Sequence, residues 1–412
     1  EEMPVEESAI VPDATQEDEV PAGEVVENAQ AQAIADSDPY FKVGTITYAF
    51  KLTGTCPGNT ATYICTESDN PLTAAIQYLM DHPAMVPTDR KIYVEEGDYD
   101  GVKIDGSTYA NLAQLNGLIG VDGSGLINIK GDLLINAPSN GFILSGFTVN
   151  GTVSITNAIG VIKLTDVHVF NDGGDGIYVE TTGSIELADV ESSNNAGRGA
   201  ELYGTGPAST YIKLSNCEFD DNDVGAGKAG LTIDTLGTIT LNGVSASRNS
   251  GDGADIFDFK SLTISNSLFN DNYVDGAPGS SGFGLNIESD SAAPVTLNNL
   301  IASGNENDNI YLITWGNITA TNIETRWSGT GTGMFIDSGG SAAPATVTIN
   351  NGQFRENYLE GLHVECKGNI TLNNIIANQN TTGDGMYLDN CVYGGSACAG
   401  TGGVTLSAVW LA

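Results

Sequence analysis

Apolar and polar residues alternate along most of this chain in short runs that recur at a nearly constant interval. The first apolar residue of each run marks the interval, and successive markers are 23, 27, 27, 23, 33, 23, 29, 23 and 34 residues apart. The markers are Ile162, Ile185, Ile212, Ile239, Leu262, Val295, Ile318, Val347, Ile370 and Val404. Strand-like alternation at a fixed period is typical of a solenoid whose coils bury their apolar faces only by stacking. The pattern predicts a parallel β-helix of about a dozen coils, with the extra residues of longer intervals inserted in one loop.

Three segments follow from composition and pattern. Residues 1–38 hold 12 acidic residues and no Lys or Arg, which predicts an acidic arm. Two interpretations of the arm remain open: it contacts a neighbouring subunit, or it covers its own chain. Residues 39–90 are predicted to cap the solenoid with a short helix that begins at Asn70-Pro71. Residues 91–412 are predicted to form the β-helix, whose last coil is incomplete.

Several coils carry a corner of the form G-x-G. The segment "IYVEEGDYDG" and coils such as "SNNAGRGAEL", "DGGDGIYV" and "NTTGDGMYL" resemble right-handed parallel β-helix repeat proteins of the pectin-lyase-like superfamily. The resemblance spans roughly residues 70 to 412 and implies a right-handed all-β solenoid. That superfamily includes lyases, hydrolases, epimerases and many non-enzymatic surface proteins. We interpret this chain as the non-catalytic, bacterial surface-protein kind.

Two columns of Asn and Asp are predicted to build the corners of the solenoid. Asn tolerates left-handed backbone and can bond to the amides of the coils above and below. The first column is Asp166, Asp189, Asn216, Asn266, Asn299, Asn322, Asn351 and Asn374. The second is Asn195, Asn222, Asn249, Asn272, Asn305, Asn357 and Asn380. We interpret both as structural ladders.

A stripe of rings is predicted on the strand that follows the G-x-G corner. Its outward position holds Tyr311, Phe335, His363 and Tyr387 on consecutive coils, and Asp308, Glu360 and Asp384 lie near the base of these rings. Three interpretations remain open. The rings stabilise the strands by stacking, they contact another subunit, or they bind a glycan whose hydroxyls reach the carboxylates.

An acidic column is predicted just beyond this stripe. Asp337, Glu365 and Asp389 occupy consecutive coils, where like charges repel. Either solvent screens them or a cation bridges them, and oxygen ligands favour Ca²⁺. Calcium is therefore the candidate cofactor.

No catalytic constellation is evident in the sequence. Basic residues such as Arg198 and Arg248 are scattered and none is expected in an acidic pocket, and the Gly-His-Gly motif of the family's hydrolases is absent. We therefore expect no enzymatic activity.

Charge and cysteine content bear on location and partners. The 15 basic and 52 acidic residues give a net charge of −37, which argues against nucleic acid and anionic membranes as partners. Cysteines spaced around Gly-rich loops predict two disulfides, Cys56–Cys65 and Cys391–Cys398. Cys217 is predicted to be a buried thiol, and the pairing of Cys366 is open.

Disulfides and the absence of a membrane-spanning apolar run predict an extracellular or cell-surface protein that does not insert into a membrane. Candidate glycosylation sequons begin at Asn150, Asn317, Asn369 and Asn380. We predict a structural protein that self-associates as a subunit or segment of a surface filament, sheath or adhesin stalk. The alternative is a carbohydrate-binding or polysaccharide-degrading β-helix that uses the aromatic and acidic stripe.

Overall fold

A computed structural model describes residues 39–51, 55–171, 173–208, 210–222, 229–273, 282–340, 344–390 and 402–411. The acidic arm predicted at residues 1–38 and the disulfide predicted between Cys391 and Cys398 lie outside these segments. Within the segments, no helix combines the length and apolarity that crossing a membrane requires.

The described residues form one helix and 28 strands. The first half comprises β1 (Tyr40–Val43), β2 (Ile46–Lys51), β3 (Tyr63–Glu67), α1 (Pro71–Asp81), β4 (Lys91–Val94), β5 (Gly97–Asp105), β6 (Gly117–Gly120), β7 (Ile127–Asn136), β8 (Phe142–Asn150), β9 (Val153–Ala158), β10 (Ile162–Phe170), β11 (Ile177–Thr181), β12 (Ile185–Ser192), β13 (Ala200–Gly204) and β14 (Tyr211–Glu218). The second half comprises β15 (Ala229–Thr235), β16 (Thr238–Ser245), β17 (Asp252–Phe257), β18 (Ser261–Leu268), β19 (Leu285–Ser289), β20 (Val295–Ser303), β21 (Ile310–Thr314), β22 (Ile318–Arg326), β23 (Met334–Asp337), β24 (Val347–Arg355), β25 (Leu362–Glu365), β26 (Ile370–Asn378), β27 (Met386–Asp389) and β28 (Val404–Leu411).

Each coil of the solenoid contributes two strands, and equivalent strands of successive coils pair in parallel. The even-numbered strands from β4 to β28 form what we call the first ladder, and the odd-numbered strands from β5 to β27 form the second ladder. In the first ladder Ile162 pairs with Ile185, and in the second Ile177 pairs with Ala200. The predicted right-handed parallel β-helix of about a dozen coils is confirmed.

The core runs along the axis between the two ladders. Inward positions of successive coils alternate in size, so that large side chains pack beside small ones at native density. One such column, fully buried throughout, is Phe219, Ala246, Phe269, Ala302, Thr325, Phe354 and Ala377. The stacking of coils therefore supplies the apolar contacts that no single coil can make alone.

The helix α1 lies against β2 and β5 near the first coil. Its buried side chains are Pro71, Leu72, Ala75, Ile76 and Leu79, as the helical spacing predicts. The side chain of Asn70 makes no capping hydrogen bond, although its carbonyl accepts one from the Ala74 amide. The buried Asn111 amide also donates to the Leu79 carbonyl at 2.7 Å, which holds the end of the helix on the solenoid.

The first predicted column of Asn and Asp has the left-handed backbone that motivated the prediction. All eight residues have φ between 52° and 57°. In the coils that have another residue at this place, Gly146 has φ 80°, Gly243 has φ 67° and Ala408 has φ 53°. Glycine and short amide or acid side chains are the residues that accept this conformation at least cost.

The second predicted column is an internal chain of amide hydrogen bonds. Asn272 Nδ2 donates to Asn305 Oδ1 at 2.9 Å, and the donations above and below repeat this pattern. The coil of β22 has Ser328 in place of Asn, and there Asn309 bridges the gap. Asn309 accepts from Asn305 at 2.8 Å and donates to Asn357 at 2.9 Å. The sequence pattern did not reveal Asn309, because it lies outside the repeated position.

The extra residues of the longer coils do not fall in one loop, so that prediction is wrong. Some lie before a second-ladder strand, as in the connection 269–284 between β18 and β19. Others lie after one, as in the connection 338–346 between β23 and β24. Both connections adjoin strands of the second ladder. The last strand, β28, pairs with β26 and is largely exposed.

Candidate functional site

The candidate site is the outward surface of the second ladder from β11 to β27, which we call the second-ladder face. Strand register aligns one side chain from each of nine consecutive coils in a central column. The column is Tyr178, Glu201, Thr232, Asp255, Asn286, Tyr311, Phe335, His363 and Tyr387. Two residues farther along the strands lie Glu180, Tyr203, Asp234, Phe257, Glu288, Ile313, Asp337, Glu365 and Asp389.

The four predicted rings come together in one continuous stack. Ring centroids lie 5.1 Å apart between Tyr311 and Phe335, 4.9 Å between Phe335 and His363, and 4.5 Å between His363 and Tyr387. Phe283, which the sequence pattern missed, extends the stack at 5.1 Å from Tyr311. Its position just before the corner residue Gly284 could have predicted that Phe283 lies next to the ring stack.

Ring orientation limits what the stack can bind. The planes of Tyr311 and Phe335 differ by 11°, so each ring covers a face of its neighbour. Packing of a sugar on a ring needs an open face, and the inner rings present mainly their edges to solvent. This geometry favours the interpretation that the inner rings stabilise the strands. Tyr387 is 43% exposed and lies at the upper end of the stack.

Carboxylates adjoin the ring stack as the sequence suggested. Asp308 accepts a hydrogen bond from the Thr332 amide, and burial raises the pKa of the Asp308 carboxyl. His363 Nε2 lies 3.1 Å from Glu365 Oε1. The carbonyls of Glu360 and Asp384 accept from the corner amides of the preceding coils, which places both residues in line with Asp308.

The predicted calcium residues are aligned along one edge of the second-ladder face. Asp337, Glu365 and Asp389 stand in register on three consecutive coils. Across the described segments, no group of three or more His, Cys, Asp or Glu side chains is arranged to hold a metal ion. Calcium binding by these residues stays a prediction.

A buried polar cluster occupies the same face below the ring stack. Its members lie on the coils of β13 to β19, and their exposed fractions at the central column fall to 7–9%. We define the polar cluster as Arg198, Glu201, Thr232, Asp252, Asp255 and Asn286. Outward positions of a strand are ordinarily solvent-exposed, so buried polar groups at this place require an explanation.

Asp255 stands at the centre of the polar cluster. Asn286 Nδ2 donates to Asp255 Oδ1 at 3.2 Å, and Asp252 is hydrogen-bonded to the same carboxyl. Burial raises the pKa of Asp255 above its ordinary value, and the hydrogen bonds from Asn286 and Asp252 oppose this rise. Arg198 is close enough to oppose it as well. Two carboxyl groups can share a hydrogen bond only when one of them holds a proton.

Three atoms of the polar cluster have no hydrogen-bond partner within the described protein. They are Arg198 Nε, Thr232 Oγ1 and Asn286 Oδ1, and all three are inaccessible to solvent. Leaving a buried polar atom unpaired costs about 1–3 kcal/mol. Three such atoms lie around one carboxyl, which distinguishes this part of the second-ladder face.

The expectation that no basic residue lies in an acidic pocket is wrong for Arg198. Its guanidinium forms an ion pair with Glu201 and lies near Asp255. Sequence reasoning missed the pair because Arg198 precedes the corner glycine while Glu201 follows it, and only the fold of the corner brings them together. The same is true of Asp252 and Asp255.

The cysteines divide between a disulfide and buried thiols. Cys56 and Cys65 are disulfide-bonded, as predicted. Cys217 is buried, and burial raises the pKa of its thiol to about 11, which makes it unreactive. Cys366 is also buried with a free thiol, which donates to the Ala345 carbonyl.

The four sequons differ in accessibility. Asn150, Asn317 and Asn369 lie on the exposed surface. The Oδ1 atom of Asn380 accepts from the Asn357 amide, and its Nδ2 is buried. Attachment of a glycan needs access to Nδ2, so this geometry disfavours Asn380 and leaves the other three as candidates.

Comparison with known proteins bears on the fold. The family described as right-handed beta helix region matches residues 145–325, which include the polar cluster. A search of the curated proteins gave no match.

Three solved structures are similar at low identity. The A-module of the Azotobacter vinelandii mannuronan C-5 epimerase AlgE4 is 14% identical with a TM-score of 0.46, and the match covers 82% of this chain and 91% of that one. The pectate lyase Pel9A is 17% identical with a TM-score of 0.41, covering 75% and 76%. The catalytic unit of the GH87 α-1,3-glucanase from Streptomyces thermodiastaticus is 14% identical with a TM-score of 0.43, covering 82% and 66%.

These neighbours act on polysaccharides, but likenesses at this level carry no argument about the activity of this chain. The ladder register and the family match concern the fold alone. The predicted right-handed parallel β-helix is thereby confirmed as a fold, and residues 145–325 match the right-handed beta helix region family.

Proposed function

We propose that the polar cluster binds a polysaccharide chain lying along the second-ladder face. One observation carries the proposal: Arg198 Nε, Thr232 Oγ1 and Asn286 Oδ1 are buried and unpaired around Asp255. A sugar offers hydroxyls that donate and accept at closely spaced positions, so one ring can satisfy donors and acceptors together. Arg198 Nε needs an acceptor, Asn286 Oδ1 needs a donor, and the Thr232 hydroxyl accepts either.

The surroundings of the cluster support an elongated ligand. The face continues without interruption from β11 to β27, and its coils are spaced about 4.8 Å apart. Tyr178 lies one coil below Glu201, and Tyr203 lies on the same strand as Glu201; their ring centroids are 5.6 Å apart and their planes are tilted by 47°. Rings inclined in this way leave parts of their faces open to a sugar, unlike the inner rings of the upper stack. A chain of several sugars would extend over these rings from the polar cluster.

Affinity electrophoresis against a panel of neutral, amino and acidic polysaccharides tests the proposal. The variant Thr232→Val removes only a hydroxyl that has no partner in the described protein. We expect it to weaken binding by about tenfold, the equivalent of one hydrogen bond to a buried group. Thr263→Val, on the exposed surface of the first ladder, is the matched control and should bind like the parent. Equal binding by both variants, or no binding to any glycan, would contradict the proposal.

The structural role and the expected lack of catalysis stay predictions. Electron microscopy of the full chain beside one lacking residues 1–38 tests a filament joined through the acidic arm. Release of reducing ends or unsaturated products from a bound polysaccharide would contradict the expectation that the protein is not an enzyme. Extracellular location is compatible with the Cys56–Cys65 disulfide and stays a prediction.

A further inference from the structure

We propose that Trp327 is the centre of a second sugar-binding site, where its ring stacks on one neutral pyranose. The site lies where the strands β22 and β24 end, outside the second-ladder face. We call it the tryptophan site and define it as Arg326, Trp327, Arg355, Glu356 and Tyr358. None of these residues belongs to the polar cluster, so the inference goes beyond the proposed function and does not rest on it.

The backbone of Trp327 is the first argument. Trp327 has φ 55° and is 56% exposed. A bulky ring in the left-handed region is an outlier, because this backbone suits Gly, Asn and Asp best. The equivalent position on other coils holds a polar residue or Gly, namely Asn194, Asp221, Arg248, Asp271, Gly304, Glu356 and Gln379. A ring that is kept at a strained place and left open to water points to a role in binding.

Neighbouring side chains hold the ring of Trp327 in one orientation. Its Nε1 donates a hydrogen bond to Glu356 Oε2, and the guanidinium carbon of Arg326 lies over the ring, 6.0 Å from the centroid. Arg326 is held in turn by an ion pair with Glu324 at 2.8 Å. A ring that is fixed before the ligand arrives loses little conformational entropy on binding. Its exposed part is therefore a preformed platform for the C–H groups of a sugar.

Polar side chains of the next coil lie beside this platform. Arg355 pairs in strand register with Arg326, and the Tyr358 amide donates to Ser328 Oγ at 3.0 Å, next to Trp327 along the chain. Arg355 is partly exposed and forms no ion pair within the described segments, and Tyr358 is 42% exposed. Sugar hydroxyls both donate and accept, so they suit a guanidinium and a phenol hydroxyl together.

Local charge and size favour a neutral sugar. The strands β22 and β24, with the residue after each, carry two basic side chains, Arg326 and Arg355, and two acidic ones, Glu324 and Glu356, so their charges sum to 2 − 2 = 0. Glu306 on the coil below adds one more carboxylate. An anionic polymer therefore gains no net attraction here. Two coils about 4.8 Å apart also offer much less surface than the roughly 800 Å² per partner of a stable protein interface.

Isothermal titration and intrinsic fluorescence of the full chain test the inference. The probes are linear tetramers of glucose, mannose and galactose, with tetragalacturonate as the charged comparison. The site variants are Trp327→Ala and Trp327→Phe. Trp315→Ala is the matched control, because Trp315 is 37% exposed and lies in the connection between β21 and β22. Thr232→Val reports whether the tryptophan site is independent of the polar cluster.

We expect at least one neutral tetramer to bind and to shift the tryptophan emission of the parent protein. Trp327→Ala should weaken this binding about tenfold or more, because the stacked ring is lost, and Trp327→Phe should lie between the parent and Trp327→Ala. Trp315→Ala and Thr232→Val should keep the emission change, with an affinity within about twofold of the parent.

Four outcomes would overturn the inference. They are an unchanged emission with every neutral tetramer, an unchanged affinity of Trp327→Ala, an equal loss in Trp315→Ala, and binding of tetragalacturonate alone. Loss of the emission change in Thr232→Val would show that there is one sugar site rather than two. Sedimentation of the parent as a dimer and of Trp327→Ala as a monomer would assign the ring to a protein contact instead.

Discussion

One substitution, Thr to Val, should change stability in opposite directions at two buried positions of the second ladder. The Thr232 hydroxyl is unpaired, whereas the Thr181 hydroxyl donates to the Gly160 carbonyl and accepts from the Gly183 amide, both at 2.9 Å. Valine has nearly the same shape as threonine, so packing changes little at either site. The two variants therefore isolate the hydrogen bonding of a buried hydroxyl.

The magnitudes follow from the partners of each hydroxyl. Replacing Thr232 by Val removes an unsatisfied buried hydroxyl and should raise the free energy of unfolding by about 1–3 kcal/mol. Replacing Thr181 by Val leaves a carbonyl and an amide without this partner, and should lower the free energy of unfolding by roughly 2–4 kcal/mol. A polar group kept unpaired at such a cost is characteristic of a ligand site, where stability is traded for function.

Urea unfolding followed by circular dichroism measures both effects as shifts of the midpoint at unchanged slope. A solenoid can unfold some coils before others, so hydrogen exchange of the amides in β11 to β17 should be measured together with urea unfolding. Thr263→Val on the exposed surface should change stability by less than about 0.5 kcal/mol. A destabilised Thr232→Val variant would refute the reasoning, because it would show that the hydroxyl is satisfied in the free protein.

Three further predictions concern the cluster and the core. Asp255→Asn should stabilise the protein more at neutral pH than near pH 3. Because the pKa of Asp255 is raised on folding, this carboxyl contributes most to stability below its unfolded pKa of about 3.9. That contribution is lost as the pH rises through the folded pKa, and the variant avoids the loss. Melting curves across pH measure this, and a pH-independent gain would contradict it. Asn309→Ala breaks three side-chain hydrogen bonds at 2.8–3.0 Å and a fourth, at 3.4 Å, from the Asn305 amide. At about 1 kcal/mol for each of the three shorter bonds, it should cost about 3 kcal/mol in urea unfolding. The partly exposed Asn373→Ala should cost about 1 kcal/mol or less, and equal losses would refute the internal ladder. Phe269→Ala should cost about 3–5 kcal/mol in the same assay through the cavity it leaves, and a loss below about 1 kcal/mol would show that the coils collapse around it.

The repeat itself was predictable from sequence because each coil must place apolar residues at the same inward positions. The order of the central column from Tyr178 to Tyr387 also followed, since strand register transmits sequence spacing directly to the surface. The left-handed corners were predictable because few residue types accept that backbone. These features depend on periodicity and local conformation.

The polar cluster was not predictable in the same way. Whether Asp255 is buried depends on the corners that flank its strand, and those connections vary in length from coil to coil. Arg198 and Asp255 are close in space although they belong to coils two apart, and an insertion lies between them in the sequence. Asn309, four residues after Asn305, takes the place of the side-chain amide that the ladder lacks at Ser328. Each of these contacts depends on the conformation of a corner, which the repeat pattern does not determine.

The insertions before and after second-ladder strands do not change the register of the first ladder. On the outward surface of the first ladder, register aligns Thr240, Thr263, Thr296, Thr319, Thr348, Thr371 and Thr405 in one unbroken row. Connections of changing length lie between the two ladders, before or after a second-ladder strand. Insertions can therefore lengthen or shorten the borders of the second-ladder face coil by coil without disturbing the core. Under the proposed function, insertion alone could therefore change affinity and specificity while the threonine row keeps its register.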